Sequence, residues 1–388
     1  MNKMTAVVAI MSVFTLAICF IILGSISAEL MEALEIDKGQ FGSLVMGLML
    51  TSCIVQLFIG PLVDKFGYKP LAILGFIVTG GSMFLLGFAP SFTVAFGACI
   101  LLGIGAMSLN TVGNTLIPVV LFEGKDPARA SNFGNAFFGL GYVLTPLLFT
   151  FFKSAMSYST AVSIFGVLAL IFLIFAVITK YPQVSTGYKF SMAVKLLGKS
   201  AVLIAALALF CYISLEISGG NYFKLYMTEI FSGEDAIAKA TVILSLFGVG
   251  MMLGRFLASR IKNLTAIGSK VISLMALLSI ITIVVMILTN SAALAIVAVL
   301  LTGFLFAPIF PTIVGVTFAK FDSSLYGSIF GIIFAVGLLG GAFVPKIIGN
   351  MAEGASVQQS LLILAVMAGI LLIISLFIGR IGTKTKND

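Results

Sequence analysis

The sequence contains no histidine and no tryptophan, and charged residues make up only 9% of its 388 residues. Without histidine, the chain lacks the side chain that most often binds metals and shuttles protons near neutral pH. Its four cysteines stand apart in apolar runs and form no C-x-x-C pair, so neither a metal site nor a disulfide framework is predicted. There is also no glycine-rich phosphate loop. We therefore expect no enzymatic activity, no cofactor and no resident metal.

Apolar residues are in large excess, at 60% of the chain, whereas soluble domains are roughly 45–50% apolar. Runs of about 20 apolar residues, enough for a helix to cross a bilayer, recur along the whole sequence. The sequence therefore predicts an all-α membrane protein that is embedded in a lipid bilayer through twelve transmembrane helices. The predicted spans are 5–28, 40–61, 69–88, 92–121, 131–153, 158–179, 200–227, 238–259, 266–289, 291–318, 326–347 and 357–379.

The longest polar break divides these spans into six and six. It covers residues 180–199 and contains Pro182, Gly187 and four lysines. We expect an N-terminal six-helix bundle at 1–179, a cytoplasmic linker at 180–199 and a C-terminal six-helix bundle at 200–388. This layout is typical of transporters that are built from repeated halves.

The basic residues are distributed unequally between the two sides of the predicted membrane. Of the 22 lysine and arginine residues, 17 fall on the side of the N-terminus and 5 on the other side. The positive-inside rule then places both termini in the cytoplasm, and we expect the plasma (inner) membrane as the location. This asymmetry also explains the net charge of +8 without a nucleic-acid partner.

A polar loop follows the second span, with the sequence GPLVDKFGYK at residues 60–69. Gly60 allows close helix contact, Gly67 allows a tight turn, and Asp64 can cap a helix end or pair with a cation on a neighbouring helix. With Lys69, the loop resembles the G-x-L-x-D-x-x-G-x-[RK] loop of the major facilitator superfamily. The resemblance implies the two-bundle fold of that superfamily and a gating role for this loop.

The equivalent loop of the second half, residues 254–260 (GRFLASR), is a degenerate copy of that pattern. Gly254 and Arg255 are the candidate gating residues of this second loop. It lacks the aspartate, which leaves its gating role open.

Four short segments resemble the fucose permease-type branch of this superfamily, which contains sugar symporters. They are residues 110–114 (NTVGN), 132–141 (NFGNAFFGLG), 212–220 (YISLEISGG) and 310–312 (FPT). The resemblance marks Tyr212 as a candidate site residue. Where the proton-coupled members of that branch carry a carboxylate, this sequence has an amide at position 110. An amide cannot cycle a proton, so we do not expect proton coupling through that helix.

Ionisable side chains inside a membrane are costly and usually functional. Glu216 is the only one predicted to lie well within a span, and it is the candidate coupling group for a proton or a cation. Two alternatives are that it pairs with Lys224 or that it lies near the outer surface. No arginine is predicted deep in any span, which argues against exchangers of phosphorylated substrates, because these need a buried cation.

Several amides are spaced to share helix faces. Asn110 and Asn114 are four residues apart, and Asn132 and Asn135 are three apart. They are predicted to form one cluster near the inner end, either to contact substrate or to join helices by hydrogen bonds. The weaker candidates are Gln56, Tyr142, Ser214, Ser218 and Asn221.

These features predict a monomeric secondary active transporter that moves a small polar solute by alternating access. A sugar is the first candidate solute, with H+ or Na+ as the coupling ion. One alternative is an efflux pump for amphipathic or cationic compounds. Another is a transporter-like receptor that does not turn over, against which the intact loop at residues 60–69 argues.

Overall fold

The computed structural model describes residues 3–182, 190–231 and 235–378. Within these residues the secondary structure is helical and includes no β-strand, which confirms the predicted all-α class. In the first half of the sequence the helices are α1 (Lys3–Ser25), α2 (Ser27–Leu34), α3 (Lys38–Phe66), α4 (Tyr68–Gly87), α5 (Phe92–Val120), α6 (Pro127–Ala155), α7 (Tyr158–Ile178) and α8 (Phe190–Leu196).

The second half repeats the pattern of long helices joined by short connections. Its helices are α9 (Ser200–Ile230), α10 (Ala236–Ala258), α11 (Leu264–Leu288), α12 (Ala292–Phe306), α13 (Ile309–Phe318), α14 (Tyr326–Gly354), α15 (Val357–Ser360) and α16 (Leu362–Ile378). Short 3-10 turns at Phe122–Gly124 and Ser323–Leu325 precede α6 and α14.

All the predicted spans correspond to helices. Among the described residues, eleven helical segments are long and apolar enough to cross a membrane. A shorter apolar stretch, Val242–Ala258, lies at the predicted eighth span. Large apolar side chains are exposed on these helices, for example Phe151 at 69% and Leu288 at 76%. Such exposure would be unfavourable in water and is explained by a surrounding bilayer.

The structure adds detail that the hydropathy pattern does not contain. Helix α2 lies mostly in the predicted loop between the first two spans, and it is followed by Glu35, whose φ of 52° is left-handed. Helix α8 lies in the predicted linker, of which residues 183–189 fall outside the described residues. The tenth span is divided into α12 and α13 at Ala307 and Pro308, since proline lacks the backbone N–H that continues a helix.

The described chain separates into two compact units. Unit 1 comprises the described residues of Met1–Glu123, Phe137–Ala193 and Ser324–Gly331. Unit 2 comprises those of Gly124–Ala136, Val194–Ser323 and Ile332–Asp388. Each unit thus contains a short segment from the other half of the sequence. The bundle boundaries at 179 and 200 remain a prediction.

Candidate functional site

A buried arginine lies at the centre of the polar residues in unit 2. Arg255 is in the last turn of α10, and only 2% of it is exposed. Its Nη2 donates to Oε1 of Glu216 at 2.9 Å and to the hydroxyl of Tyr212 at 3.2 Å. Its Nε donates to the carbonyl of Ala307 at 3.1 Å, and Nη1 donates to that of Asn135 at 3.4 Å. The sequence did not predict that this arginine is buried. Its burial is tolerated because a counter-charge and three further acceptors surround it.

Glu216 pairs with this arginine and not with Lys224, the partner considered from the sequence. Glu216 follows Tyr212 by one turn of α9, so both side chains reach the same guanidinium. The Glu216 side chain is 26% exposed to solvent, whereas the Arg255 side chain is 2% exposed. Because the pair has no net charge, Arg255 is not an unpaired cation clamp for phosphorylated substrates. A buried arginine is therefore present, but its pairing with Glu216 still argues against phosphorylated substrates.

The Phe-Pro-Thr segment explains why a backbone carbonyl is available to Arg255. In a regular helix the carbonyl of Ala307 would accept from the N–H of residue 311. Pro311 has no N–H, so that carbonyl is left without its helical donor. The Nε of Arg255 replaces the missing donor.

Aromatic rings line one side of the ion pair. Tyr212 stacks on Phe310 of α13, with ring centroids 6.0 Å apart and planes inclined by 27°. Phe310 in turn meets Phe334 of α14 edge to face at 5.9 Å. A small number of polar groups against an aromatic wall is the composition typical of small-molecule sites.

Unit 1 holds a separate network of buried amides. Nδ2 of Asn114 donates to Oδ1 of Asn110 at 2.8 Å, and Nδ2 of Asn110 donates to Oε1 of Gln56 at 3.3 Å. Nε2 of Gln56 then donates to the hydroxyl of Thr111 at 3.1 Å. These four residues, from α3 and α5, are at most 1% exposed. The network is neutral and joins the two helices.

The other predicted amide pair belongs to unit 2. Nδ2 of Asn132 donates to the hydroxyl of Thr312 at 2.9 Å, while its Oδ1 is buried without a partner in the described part of the chain. Asn135 donates through Nδ2 to the carbonyl of Ser131 at 3.0 Å. That all four asparagines form one cluster stays a prediction.

The weaker sequence candidates occupy different environments. Tyr142 is half-buried in α6, and Asn221 is exposed in α9. Ser214 donates to the carbonyl of Phe210 at 2.6 Å, as a side chain that bonds within its own helix. The Ser218 hydroxyl, one turn after Ser214, is buried without a partner among the described residues.

The carboxylate of Asp64 binds the N-terminus of α14 within unit 1. Oδ1 accepts from the N–H of Gly327 at 2.8 Å. Oδ2 accepts from the N–H and the hydroxyl of Ser328, at 2.6 and 2.5 Å. First-turn N–H groups have no partner in their own helix, and a negative charge there is stabilised by the helix dipole. Of the two sequence alternatives for Asp64, the structure places it at a helix end.

Glycines allow this close approach. A Cβ on Gly60 would lie 2.2 Å from the carbonyl oxygen of Gly327, and one on Gly327 would lie 2.4 Å from that of Gly60. Gly67 has a φ of 84°, which lets the chain turn from α3 into α4. Lys69, the last residue of the family-like loop, is exposed in the first turn of α4.

In the second-half loop, Gly254 lets α10 approach the end of α12, because a Cβ there would lie 2.7 Å from the carbonyl oxygen of Phe304. An aspartate outside this loop binds a helix start in unit 2. Asp126, which precedes α6, accepts from the N–H groups of Leu264 and Thr265 at the start of α11, both at 2.9 Å.

Sequence reasoning missed Asp126, and it did not predict the burial of Asp64 and Asp126. Asp64 and Asp126 are 4% and 8% exposed, so both are less exposed than Glu216. The signal at position 126 was an aspartate directly before Pro127, which is typical of a helix start. That signal predicts a cap for α6 and contains no information about α11.

A sequence model described as the Major Facilitator Superfamily matches residues 8–345. The chain belongs to the Major Facilitator Superfamily. It is 26% identical over 353 residues to a glucose/galactose transporter of Brucella abortus, covering 86% of this chain and 82% of that protein. It is 24% identical over 330 residues to the Bypass of stop codon protein 6 of Saccharomyces cerevisiae, covering 74% of this chain and 65% of that protein.

Solved structures share the fold of this major facilitator protein. FucP, a superfamily transporter in the outward conformation, has a TM-score of 0.80 and 18% identity, with 96% of this chain and 98% of that chain covered. The human organic anion transporter TETRAN has a TM-score of 0.72 and 15% identity, with 96% and 99% covered. At these identities the likeness concerns the fold.

Membership in the superfamily confirms three predictions from the sequence. The resemblance carried by the loop at residues 60–69 is confirmed, as is a multi-pass membrane protein with the two-bundle major facilitator fold. The superfamily consists of carriers, so the prediction of a transporter and not an enzyme is also confirmed.

We expect the Arg255–Glu216 pair to contribute to the stability of the transporter. Arg255→Met and Glu216→Gln should each lower the melting temperature of the purified protein. Together they should lower it less than the sum of the two, with a coupling of about 1.5–3 kcal/mol, the range for hydrogen bonds to charged groups. Differential scanning fluorimetry or calorimetry of the four proteins measures this coupling.

The control cycle uses a more exposed ion pair, Lys153 with Glu29, whose lysine side chain is 46% exposed. Lys153→Met and Glu29→Gln should couple by less than about 1 kcal/mol, because exposed pairs are screened by water. Equal coupling in the two cycles would contradict a stabilising role for the buried pair.

Proposed function

We propose that this major facilitator protein is a secondary active transporter of a neutral sugar or a similar small polar solute. The observation that carries the proposal is the partly exposed Glu216 side chain, whose carboxylate is held by buried Arg255 beside the ring of Tyr212. A carboxylate fixed in this way accepts hydrogen bonds from solute hydroxyl groups, and the electrically neutral pair does not favour a charged solute.

The names of related proteins support a sugar. The Brucella relative is a glucose/galactose transporter, and one structural neighbour is the Escherichia coli fucose:proton symporter, with 18% identity and a TM-score of 0.77. The buried amides Gln56, Asn110 and Asn114 add neutral donors and acceptors of the type that binds polar solutes. We assign them a supporting role, since each is at most 1% exposed.

We further propose that transport is coupled to H+ or Na+ through Glu216. A carboxylate can take up a proton or bind a cation, whereas the amide of Asn110 cannot change its charge. Arg255 provides a counter-charge when Glu216 is ionised. Protonation of Glu216, or cation binding by it, would weaken the ion pair and so link the coupling ion to the arrangement of α9 and α10.

Alternating access requires contacts that close one side of the carrier. The Asp64 carboxylate at the N-terminus of α14 is such a contact, and its release would accompany opening of that side. We propose that this side faces the cytoplasm, together with both termini, in a plasma (inner) membrane; the excess of lysine and arginine on this side supports the proposal. We propose that the transporter acts as a monomer.

Thermal stabilisation of the detergent-purified protein tests the solute class. A ligand that binds only the folded state raises the melting temperature by mass action, by about 2.7 kcal/mol of stability at 100 times its Kd. We expect a shift with at least one hexose in a panel of sugars, amino acids, nucleosides and lipophilic cations, measured with and without Na+ and at two pH values.

The matched control is the Glu216→Gln variant, which should reduce or remove the hexose shift. Stabilisation by lipophilic cations alone would contradict the sugar proposal and favour an efflux pump. Counterflow of the stabilising solute in proteoliposomes then separates a transporter from a receptor, because a receptor gives no counterflow.

A further inference from the structure

A second carboxylate joins two distant helix starts in unit 2. Oδ2 of Asp126 accepts from the N–H of Leu264 at 2.9 Å. Its Oδ1 accepts from the N–H of Thr265 at 2.9 Å, from the Thr265 hydroxyl at 2.6 Å and from the N–H of Arg129 at 3.3 Å. The first three contacts span 138 or 139 residues of sequence, and Asp126 is only 8% exposed.

Helix α11 depends on this carboxylate because it lacks a cap of its own. The residue before it, Asn263, has a φ of 58° and makes no side-chain capping bond. The first N–H groups of a helix have no partner within the helix, and Asp126 satisfies those of Leu264 and Thr265. A negative charge at that end is also stabilised by the helix dipole.

Further contacts fasten the same two segments. The Thr265 hydroxyl accepts from the N–H of Ala128 at 2.9 Å, and Nε of Arg129 donates to the carbonyl of Ser259 at 2.8 Å. Gly315 permits close packing against the start of α6, since a Cβ there would lie 2.2 Å from the Cα of Ala128. The start of α6 is therefore held by α11, by the loop before α11 and by α13.

This arrangement has the same chemistry as the Asp64 contact in unit 1. In both cases an aspartate accepts from two first-turn N–H groups and one hydroxyl of a helix that is distant in sequence. The difference lies in where the carboxylate comes from. In the first half it lies in the last turn of α3, whereas in the second half the end of α10 and the loop after it contain no aspartate, and the loop before α6 supplies one.

We propose that Asp126 is the second gating carboxylate of this transporter, taking the place of the aspartate absent from residues 254–260. It acts as a positioning residue: it holds the loop before α6 to the start of α11, and it releases α11 when the cytoplasmic side opens. The proposal rests on the alternating-access transport proposed above.

Pulsed electron paramagnetic resonance, which measures the distance between two spin labels, tests this role without knowledge of the solute. Lys125→Cys and Lys262→Cys place the labels on exposed positions of the two segments, and Cys53, the one native cysteine that is not buried, is changed to Ser. With Asp126 intact we expect mainly one short distance. With Asp126→Asn we expect a second, longer population, because an amide nitrogen cannot accept and the charge is lost.

Hydrogen exchange measured by mass spectrometry shows how strongly Asp126 protects the start of α11. The N–H groups of Leu264 and Thr265 should exchange about tenfold faster in Asp126→Asn, which corresponds to about 1.4 kcal/mol. Thr265→Val, which removes the hydroxyl from the same contact, keeps the test valid if the aspartate variant does not fold. Asp126→Glu should restore most of the short-distance population.

Asp37→Asn is the matched control. Asp37 caps its own helix by accepting from the N–H of Gln40 at 2.8 Å and holds no distant segment in the described structure. We expect one short distance in this variant. Faster exchange in Asp126→Asn without a longer distance would assign Asp126 a purely structural role and overturn the proposal, as would no change in either measurement. A second population would support the gate even if no sugar stabilises the protein.

Discussion

Proteoliposomes with the Glu216→Gln variant are expected to lose gradient-driven accumulation of the solute completely while still exchanging it across the membrane. The amide oxygen can accept from Nη2 of Arg255 as the carboxylate does, at 2.9 Å in the native protein, so the local geometry is kept. The amide cannot take up a proton or balance the charge of the arginine. The variant should therefore bind and release solute without coupling to an ion gradient.

Uptake of the hexose that most stabilises the protein, under an imposed pH or Na+ gradient, measures accumulation, and counterflow measures exchange. The comparison of the two gradients also identifies the coupling ion. Glu29→Gln is the control, since Glu29 belongs to the more exposed ion pair with Lys153. Proteoliposomes with this variant should accumulate the solute normally. Undiminished accumulation by Glu216→Gln would exclude Glu216 as the coupling group.

The second large effect is expected from Gly60→Val, which should abolish transport by separating α3 from the start of α14. The nearest obstacle to a new Cβ is a backbone oxygen, that of Gly327 at 2.2 Å, so no side-chain rotation relieves the overlap. Overpacking costs about 1–3 kcal/mol, and each hydrogen bond lost by Asp64 costs about 1.5–3 kcal/mol. A total of about 3 kcal/mol or more changes the equilibrium between the closed and open states by on the order of 100-fold, in favour of the open state.

Hydrogen exchange of Gly327 and Ser328 reports this separation directly, because their N–H groups donate to Asp64. We expect them to exchange on the order of 100-fold faster in Gly60→Val. The control is Gly81→Val in α4, where a new Cβ meets no atom within 4 Å. Normal transport by Gly60→Val, or unchanged exchange at Gly327, would contradict a close contact that must stay free of side chains.

Much of the architecture could be predicted from the sequence because the bilayer imposes a length on each apolar run. A helix needs about 20 apolar residues to cross the hydrocarbon core, so hydropathy alone located the spans. The prolines also marked local events, since Pro308 stands at the break between α12 and α13 and Pro311 leaves the Ala307 carbonyl free for Arg255. The loop at residues 60–69 identified the superfamily because Gly60 and Asp64 form one close helix contact and Gly67 allows the turn that follows.

The partners of the charged residues could not be predicted in the same way. Helical periodicity places Tyr212 and Glu216 on one face, but it does not say which neighbouring helix that face meets. The sequence therefore suggested Lys224, the nearer residue, as the partner of Glu216. Only the folded chain shows that the partner is Arg255, 39 residues away. For the same reason Arg255 was misjudged as a loop residue: its burial depends on acceptors from α9, α6 and the break after α12.

The sequence by itself determined the solvent, the location of the apolar helices and the superfamily, because these follow from composition, run length and one local motif. The tertiary structure alone decided which carboxylate serves which helix. The unsatisfied N–H groups at a helix start occur in every helix and carry no sequence mark, so Asp126 could be read only as the cap of α6. Its bonds to Leu264 and Thr265 exist because packing brings the start of α11 beside it.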